Sequence, residues 1–262
     1  MEIAGYIASV CIGLVLGILG GGGSILSIPI LVYLFHIDVV LATAYSLFIV
    51  GFTSLVGTIP KYKEHLINIK TGILFSIPSI LTIFATRKWV VPIIPDILWQ
   101  TDSIILTQRF LVLGLFAVLM ILASVSMIRG RKEIHNDNHR FRIVWVVLEG
   151  ILIGALTGIV GAGGGFLIIP ALVLLTGLPF KTAVGTSLFI ISINSLSGFL
   201  GDVLNYQMDW VFLLSITSLA IAGVILGNAF SKKIKAAQLR TFFGWFILVM
   251  GLWILVKELF QF

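Results

Sequence analysis

Charged side chains are scarce in this chain. Lys, Arg, Asp and Glu make up 11% of 262 residues, where a soluble domain carries about a quarter; there are too few to clothe a water-soluble globule. Cysteine occurs once, as Cys11, which excludes an internal disulfide and a clustered thiolate site for a metal; its expected place is a small buried apolar position. The histidines, His36, His65, His135 and His139, fall outside apolar stretches or at their edges and read as solvated loop residues. Nothing in the sequence resembles a nucleophile with its base. No catalytic residue, metal or cofactor is expected, and no enzymatic role. The N-terminal "MEIAG" has no Lys or Arg ahead of its apolar run and no small-residue cleavage site, so a removable signal peptide is not expected.

Apolar length is abundant. Hydrophobic residues make up 59% of the chain and the mean hydropathy is +1.15. Apolar stretches cover residues 3–35, 38–60, 68–86, 104–128, 143–176, 181–201, 208–230 and 241–256, several of them long enough to cross a bilayer. The expectation is one multi-pass membrane domain, residues 1–262, in the cell (inner or plasma) membrane. A net charge of +6 does not imply nucleic acid, because the basic residues sit in short loops beside apolar segments, where they set topology and meet anionic lipid headgroups.

The chain repeats itself. Shifted by 141 residues, "ILGGGGSILSIPILVYL" (18–34) lies on "IVGAGGGFLIIPALVLL" (159–175) without a gap, and "SLF" at 46–48 lies on "SLF" at 187–189. Gly13 and Gly17 fall on Gly154 and Gly158, and Asn68 falls on Asp209. From 13 to 57, roughly 20 of 45 positions are identical, far beyond shared hydrophobicity. Repeat 1 takes about 3–128, a cytoplasmic linker 129–142, and repeat 2 about 143–260.

Lys and Arg orient the repeats. The loops 129–142 and 232–240 hold five and four of them and are expected in the cytoplasm. Counting crossings from those loops, segment 143–176 begins and ends on the cytoplasmic side, and 3–35 begins and ends outside. Neither is long enough to cross and return, so each reads as a hairpin of two short helices turning at its glycines. The expected fold is all-α: two inverted-topology repeats, each a Gly-broken helical hairpin plus three transmembrane helices. This orientation puts 13 of the 17 Lys and Arg in the cytoplasm, leaving Arg87, Lys88, Arg109 and Lys257 as exceptions. Segment 89–103, with two prolines, two tryptophans and two acids, reads as an interfacial excursion outside.

Inside hydrocarbon, an irregular backbone is tolerated only where protein buries it or a cavity takes it up. A helix resuming after the break starts with unpaired N–H groups and partial positive charge, and glycine lets an anion approach them. Two inverted breaks aim two such starts at the midplane, as in secondary transporters. The alternative is that the glycines let helices pack closely. Packing is the favoured reading for Gly13, Gly17, Gly154 and Gly158; the site is favoured for the clusters, since packing does not call for three or four glycines together. Substrate-binding candidates are Gly21, Gly22, Gly23 and Ser24 in the first half and Gly163, Gly164 and Gly165 in the second. Ser46 and Ser187 sit at matched depths on the following helix, with Thr186 and Asn194, opposite Tyr45 and Thr53, adding polar atoms. Each of these hydroxyls and amides taken singly could equally bond between helices or to a carbonyl; for the Ser46 and Ser187 pair the site is the favoured reading. Glu149 reads as an interface residue beside Arg142 or Trp145, with a proton-coupling site as the alternative.

Residues 158–198, "GIVGAGGGFLIIPALVLLTGLPFKTAVGTSLFIISINSLSG", with the later "DVLNYQMDW" and "AGVILGNAF", resemble the signature of the sulfite exporter TauE/SafE family, also called the toluene sulfonate uptake permeases. Weaker traces occupy the first half, so the likeness spans nearly the whole chain; Ser24 stands where the second copy has Gly165, and Tyr45 where it has Thr186. The resemblance implies a carrier, an exporter, of sulfur-containing anions such as sulfite or organosulfonates. Helix starts at the breaks suit such an anion, with alternating access around a midplane site. The alternatives are a channel-like anion pore and a non-transporting membrane scaffold. The partners expected are a small anionic substrate and the lipid bilayer, and no nucleic acid; a coupling ion (proton or sodium) and a homodimer are left open.

Overall fold

The computed structural model describes residues 2–95, 97–101, 104–129, 139–232 and 234–260. Among them lie ten α-helices: α1 Glu2–Leu19, α2 Gly23–Pro29, α3 Val39–Lys63, α4 Ile69–Ala85, α5 Gln108–Arg129, α6 His139–Val160, α7 Gly165–Leu175, α8 Phe180–Val203, α9 Trp210–Ser231 and α10 Ala236–Leu259. A π-turn Ile30–Leu34 extends α2, and the turns Thr86–Val90 and Val91–Ile93 extend α4. Six of the helical segments are long and apolar enough to span a bilayer: Val39–Lys63, Ile69–Ile93, Gln108–Arg129, Phe180–Val203, Trp210–Ser231 and Ala236–Leu259. The runs flanking each glycine cluster are shorter apolar helices, Ala4–Leu19 with Gly23–Leu34 and Val144–Val160 with Gly165–Leu174. Leu81, Leu122, Ile225 and Val249 face outward, as the lipid-facing band of a multi-pass protein must.

One segment departs from the all-helical reading. After Ile93 the chain forms an antiparallel pair, β1 Ile97–Thr101 with β2 Ile104–Thr107, so residues 104–107 are strand and α5 begins four residues later than expected. "ILWQT" and "IILT" are rich in β-branched and aromatic residues, which favour a pleated surface. Asp96, Asp102 and Ser103, and residues 130–138 of the expected linker, lie outside the described residues.

The helix contacts cross between the halves. α1 packs chiefly on α9 and α6 on α4, while α3 faces α8 and α5 faces α10. The α1–α9 seam is backbone against backbone: a Cβ on Gly17 would lie 2.5 Å from the Val224 carbonyl oxygen, and one on Gly227 2.3 Å from that of Leu14. On the α6–α4 seam Gly154 likewise approaches backbone, where a Cβ would lie 2.8 Å from the Ser79 carbonyl oxygen. The GxxxG pairs are therefore packing surfaces. Asn68 and Asp209 cap matched helices: each side-chain oxygen accepts from the backbone three residues on, Thr71 N–H and Phe212 N–H, both at 3.0 Å.

Cys11 is not buried; it lies on the exposed face of α1. That face is turned outward because the Gly13 and Gly17 edge takes the contact with α9. His36 and His65 end helical stretches in the left-handed conformation, φ 56° and 55°, and are exposed, which suits helix termination. The four basic exceptions all have partners. Arg87 pairs with Asp202 and Arg109 with Glu258. Lys257 stands 3.5 Å from the Tyr33 ring centre, and Lys88 lies over Phe84 and Trp89. Each of these charges has a local partner.

Candidate functional site

Both glycine clusters break their helices. α1 stops at Leu19, and Gly20 takes φ +79° with its N–H on the Leu16 carbonyl at 2.8 Å. Gly22 precedes α2 with no side-chain cap. α6 stops at Val160, Gly161 takes φ +76°, and Gly164, in the left-handed conformation at φ +69°, caps α7 without side-chain help. Only glycine adopts that geometry at little cost. Residues 19–25 and 160–166 are buried throughout.

The two breaks meet. A Cβ built on Gly21 would lie 2.3 Å from the Gly165 carbonyl oxygen, and one on Gly165 2.6 Å from the Gly21 Cα. In this conformation the tips are pressed together, and each is lined by side chains from the facing half. Gly20 touches Val184 of α8, and Gly161 touches Thr43 of α3, the residue 141 positions before Val184.

The first tip gathers serines. Ser24 Oγ donates to the Gly21 carbonyl (2.7 Å), Ser27 Oγ to the Ser24 carbonyl (2.8 Å), and Ser27 and Ser46 hydroxyls share a hydrogen bond of 2.5 Å. Ser46 is thus tied to the first hairpin through Ser27, which the sequence reading passed over. Gly22 rests against Leu19 and Phe243, and Gly23 against Ile12 and Leu16. Ser187 has a different environment; its hydroxyl donates to the Val184 carbonyl (2.8 Å) within α8.

The second tip gathers unpaired hydroxyls. Thr157 Oγ1 would be 2.3 Å from a Cβ on Gly164, and Ser195 Oγ 2.7 Å from one on Gly163. Both are buried and have no hydrogen-bond partner among the described residues, as is true of Ser54, the residue equivalent to Ser195 in the first half. Buried hydroxyls normally find partners. Ser195 was legible only as the neighbour of Asn194 and the repeat mate of Ser54; Thr157 faces Leu16 in the repeat and carried no signal.

Thr186 and Asn194 bond across the halves. Thr186 Oγ1 accepts from the Asn68 N–H at 2.9 Å, and Tyr45, its repeat mate, accepts through its phenol from the Asp209 N–H at 2.8 Å. Each ties the capped start of a helix to the other half. Asn194 donates from Nδ2 to Ser79 Oγ (2.7 Å), and its Oδ1 has no partner among the described residues. Tyr45→Phe and Thr186→Val should each lower stability by about 1 kcal/mol, read as a fall in the unfolding midpoint in detergent; an unchanged midpoint in both would remove these ties from the account. Glu149 is half-buried with Oε2 unpaired among the described residues, and the Arg142 side chain, its expected neighbour, lies outside the description.

Charge flanks the tips on both sides. Arg87 is fully buried; its Nη1 bonds Thr43 Oγ1 (2.9 Å) and lies 3.2 Å from Asp202 Oδ2. At the opposite ends of the helices, Lys61 Nζ bonds Ser231 Oγ (2.9 Å) beside a cavity of about 30 Å³ lined by Ile18, Lys181, Val184 and Lys232 among others. That space suffices for a water molecule. Lys61 and Asp202 occupy equivalent repeat positions, as do Arg87 and Asn228.

Six helices long and apolar enough to span a bilayer, with two further helical hairpins broken at buried glycines, define a multi-pass membrane protein. The family follows from comparison: the profile of the sulfite exporter TauE/SafE family matches residues 6–254, and the chain belongs to that family. A "Probable membrane transporter protein" of Xylella fastidiosa (strain Temecula1) is 26% identical over 94% of this chain and 92% of its own length. "Probable membrane transporter protein YunE" of Bacillus subtilis is 25% identical over 98% and 99%. "Probable membrane transporter protein MJ0441" of Methanocaldococcus jannaschii is 27% identical over 94% of each. No solved structure matches the chain. The protein is a multi-pass membrane transporter, and the names of its relatives point away from an enzyme.

Proposed function

We propose that this protein exports a sulfur-containing anion, sulfite or an organosulfonate, by alternating access around the junction of its two glycine breaks. The observation that carries the reading is the meeting of Gly21 with Gly165 in the buried interior. α7 starts there with uncapped N–H groups and partial positive charge, and the unpaired hydroxyls of Thr157 and Ser195 stand beside it. A pyramidal or tetrahedral oxyanion accepts from all of these. The crossed contacts, α1 on α9 and α6 on α4, fit two inverted repeats that move against one another around the tips.

The test is flux in proteoliposomes. Sulfite or ethanesulfonate uptake should saturate and should show counterflow when unlabelled anion is trapped inside. Linear conductance without counterflow would make the protein a channel, and transport of cations or neutral solutes in place of anions would end the anion reading.

A further inference from the structure

Arg87 brings a formal charge against a glycine break. It sits where α4 runs on into its π-turn, with 0% of its side chain exposed. Nη1 faces Thr43 and Asp202, whereas Nε and Nη2 donate to no acceptor among the described residues. Those two nitrogens form one edge of the planar guanidinium, the fork that takes two oxygens of a single oxyanion. A Cβ on Gly161 would lie 2.1 Å from Nη2, so this side of the guanidinium abuts the first residue of the second break. Gly161 admits it by lacking a side chain.

We propose that Arg87 is a binding residue for the transported oxyanion, and that Asp202 is the counter-ion which holds the guanidinium until the anion arrives. The assignment rests on the anion reading above and supplies what that reading lacks, a full positive charge. Helix starts and hydroxyls offer partial charges, and a full anion in a low-dielectric interior is stable only when a full opposite charge meets it. Arginine presents its donors in fixed directions. The pair with Asp202 is made through Nη1, so the Nε/Nη2 edge carries no bond to the carboxylate. Asp202 and an incoming anion then compete for one guanidinium, a like-charge contest that the carboxylate must lose for binding to be tight. Thr157 and Ser195, unpaired beside Gly164 and Gly163, supply further donors along the same break.

The experiment measures binding of sulfite and of ethanesulfonate to the purified full chain, and counterflow of each in proteoliposomes. Three proteins are compared: unaltered, Asp202→Asn, and the double variant Arg87→Gln with Asp202→Asn, which removes both charges together and leaves no lone buried ion. The double variant should insert and elute as the unaltered protein does, yet bind at least roughly tenfold more weakly and lose counterflow. Asp202→Asn alone should bind roughly threefold or more tightly, because the competing charge is gone. Unchanged affinity and counterflow in the double variant would overturn Arg87 as a binding residue while leaving the anion reading standing. Weaker binding in Asp202→Asn would overturn the counter-ion role. If the unaltered protein neither binds nor moves any of these anions, the anion reading itself fails, and the assignment falls with it.

Discussion

Gly164→Leu and Gly23→Leu are each expected to reduce sulfite counterflow to background while the protein still inserts into the membrane. Gly164 sits at φ +69°, where a residue with a Cβ loses about 1–2 kcal/mol, and its new Cβ would stand 2.3 Å from Thr157 Oγ1. That hydroxyl would be driven off the start of α7. At Gly23 a Cβ would meet the Ile12 carbonyl oxygen at 2.3 Å, forcing α1 and α2 apart and moving the first tip away from the second. Overpacking of this kind costs about 1–3 kcal/mol, which six spanning helices can absorb; the geometry of the junction cannot. Gly114→Ala is the control: a Cβ there meets only Phe110, at 3.8 Å, and flux should be unchanged. Normal counterflow in both leucine variants would remove the breaks from the transport path.

Arg87→Gln alone should destabilise the fold far more than Arg87→Gln combined with Asp202→Asn. The single change leaves the Asp202 carboxylate, itself fully buried, without its cation, and breaking a buried pair from one side costs about 3–5 kcal/mol. Neutralising both partners removes that penalty, since buried pairs are often near neutral against uncharged replacements. Thermal unfolding in detergent should rank the proteins as unaltered and double close together, with the single variant well below. A single variant as stable as the double would mean that water or lipid headgroups reach Asp202 and that the pair is not sealed.

The breaks, the six spans and the doubling of the chain were legible in the residue order alone. Spanning helices need long apolar runs, and four glycines in such a run stop a helix whatever surrounds them; the 141-residue repeat is plain in the letters. So is family membership, carried by the glycine cluster with "AVGTSLF". The strand pair at 97–107 was missed because apolar β-branched residues suit a buried helix and a strand alike.

Which polar atom faces which tip was decided by the tertiary fold. Thr186 and Ser187 are adjacent, but one braces Asn68 across the halves and the other turns back on its own helix, because neighbours on a helix point about 100° apart. Arg87 looked like a misplaced topology signal; its burial depends on α4, α3 and α8 converging on Gly161. Residues 44, 115 and 74 positions from Arg87 make that environment. No local pattern encodes such separations, since they arise when helices distant in sequence pack together.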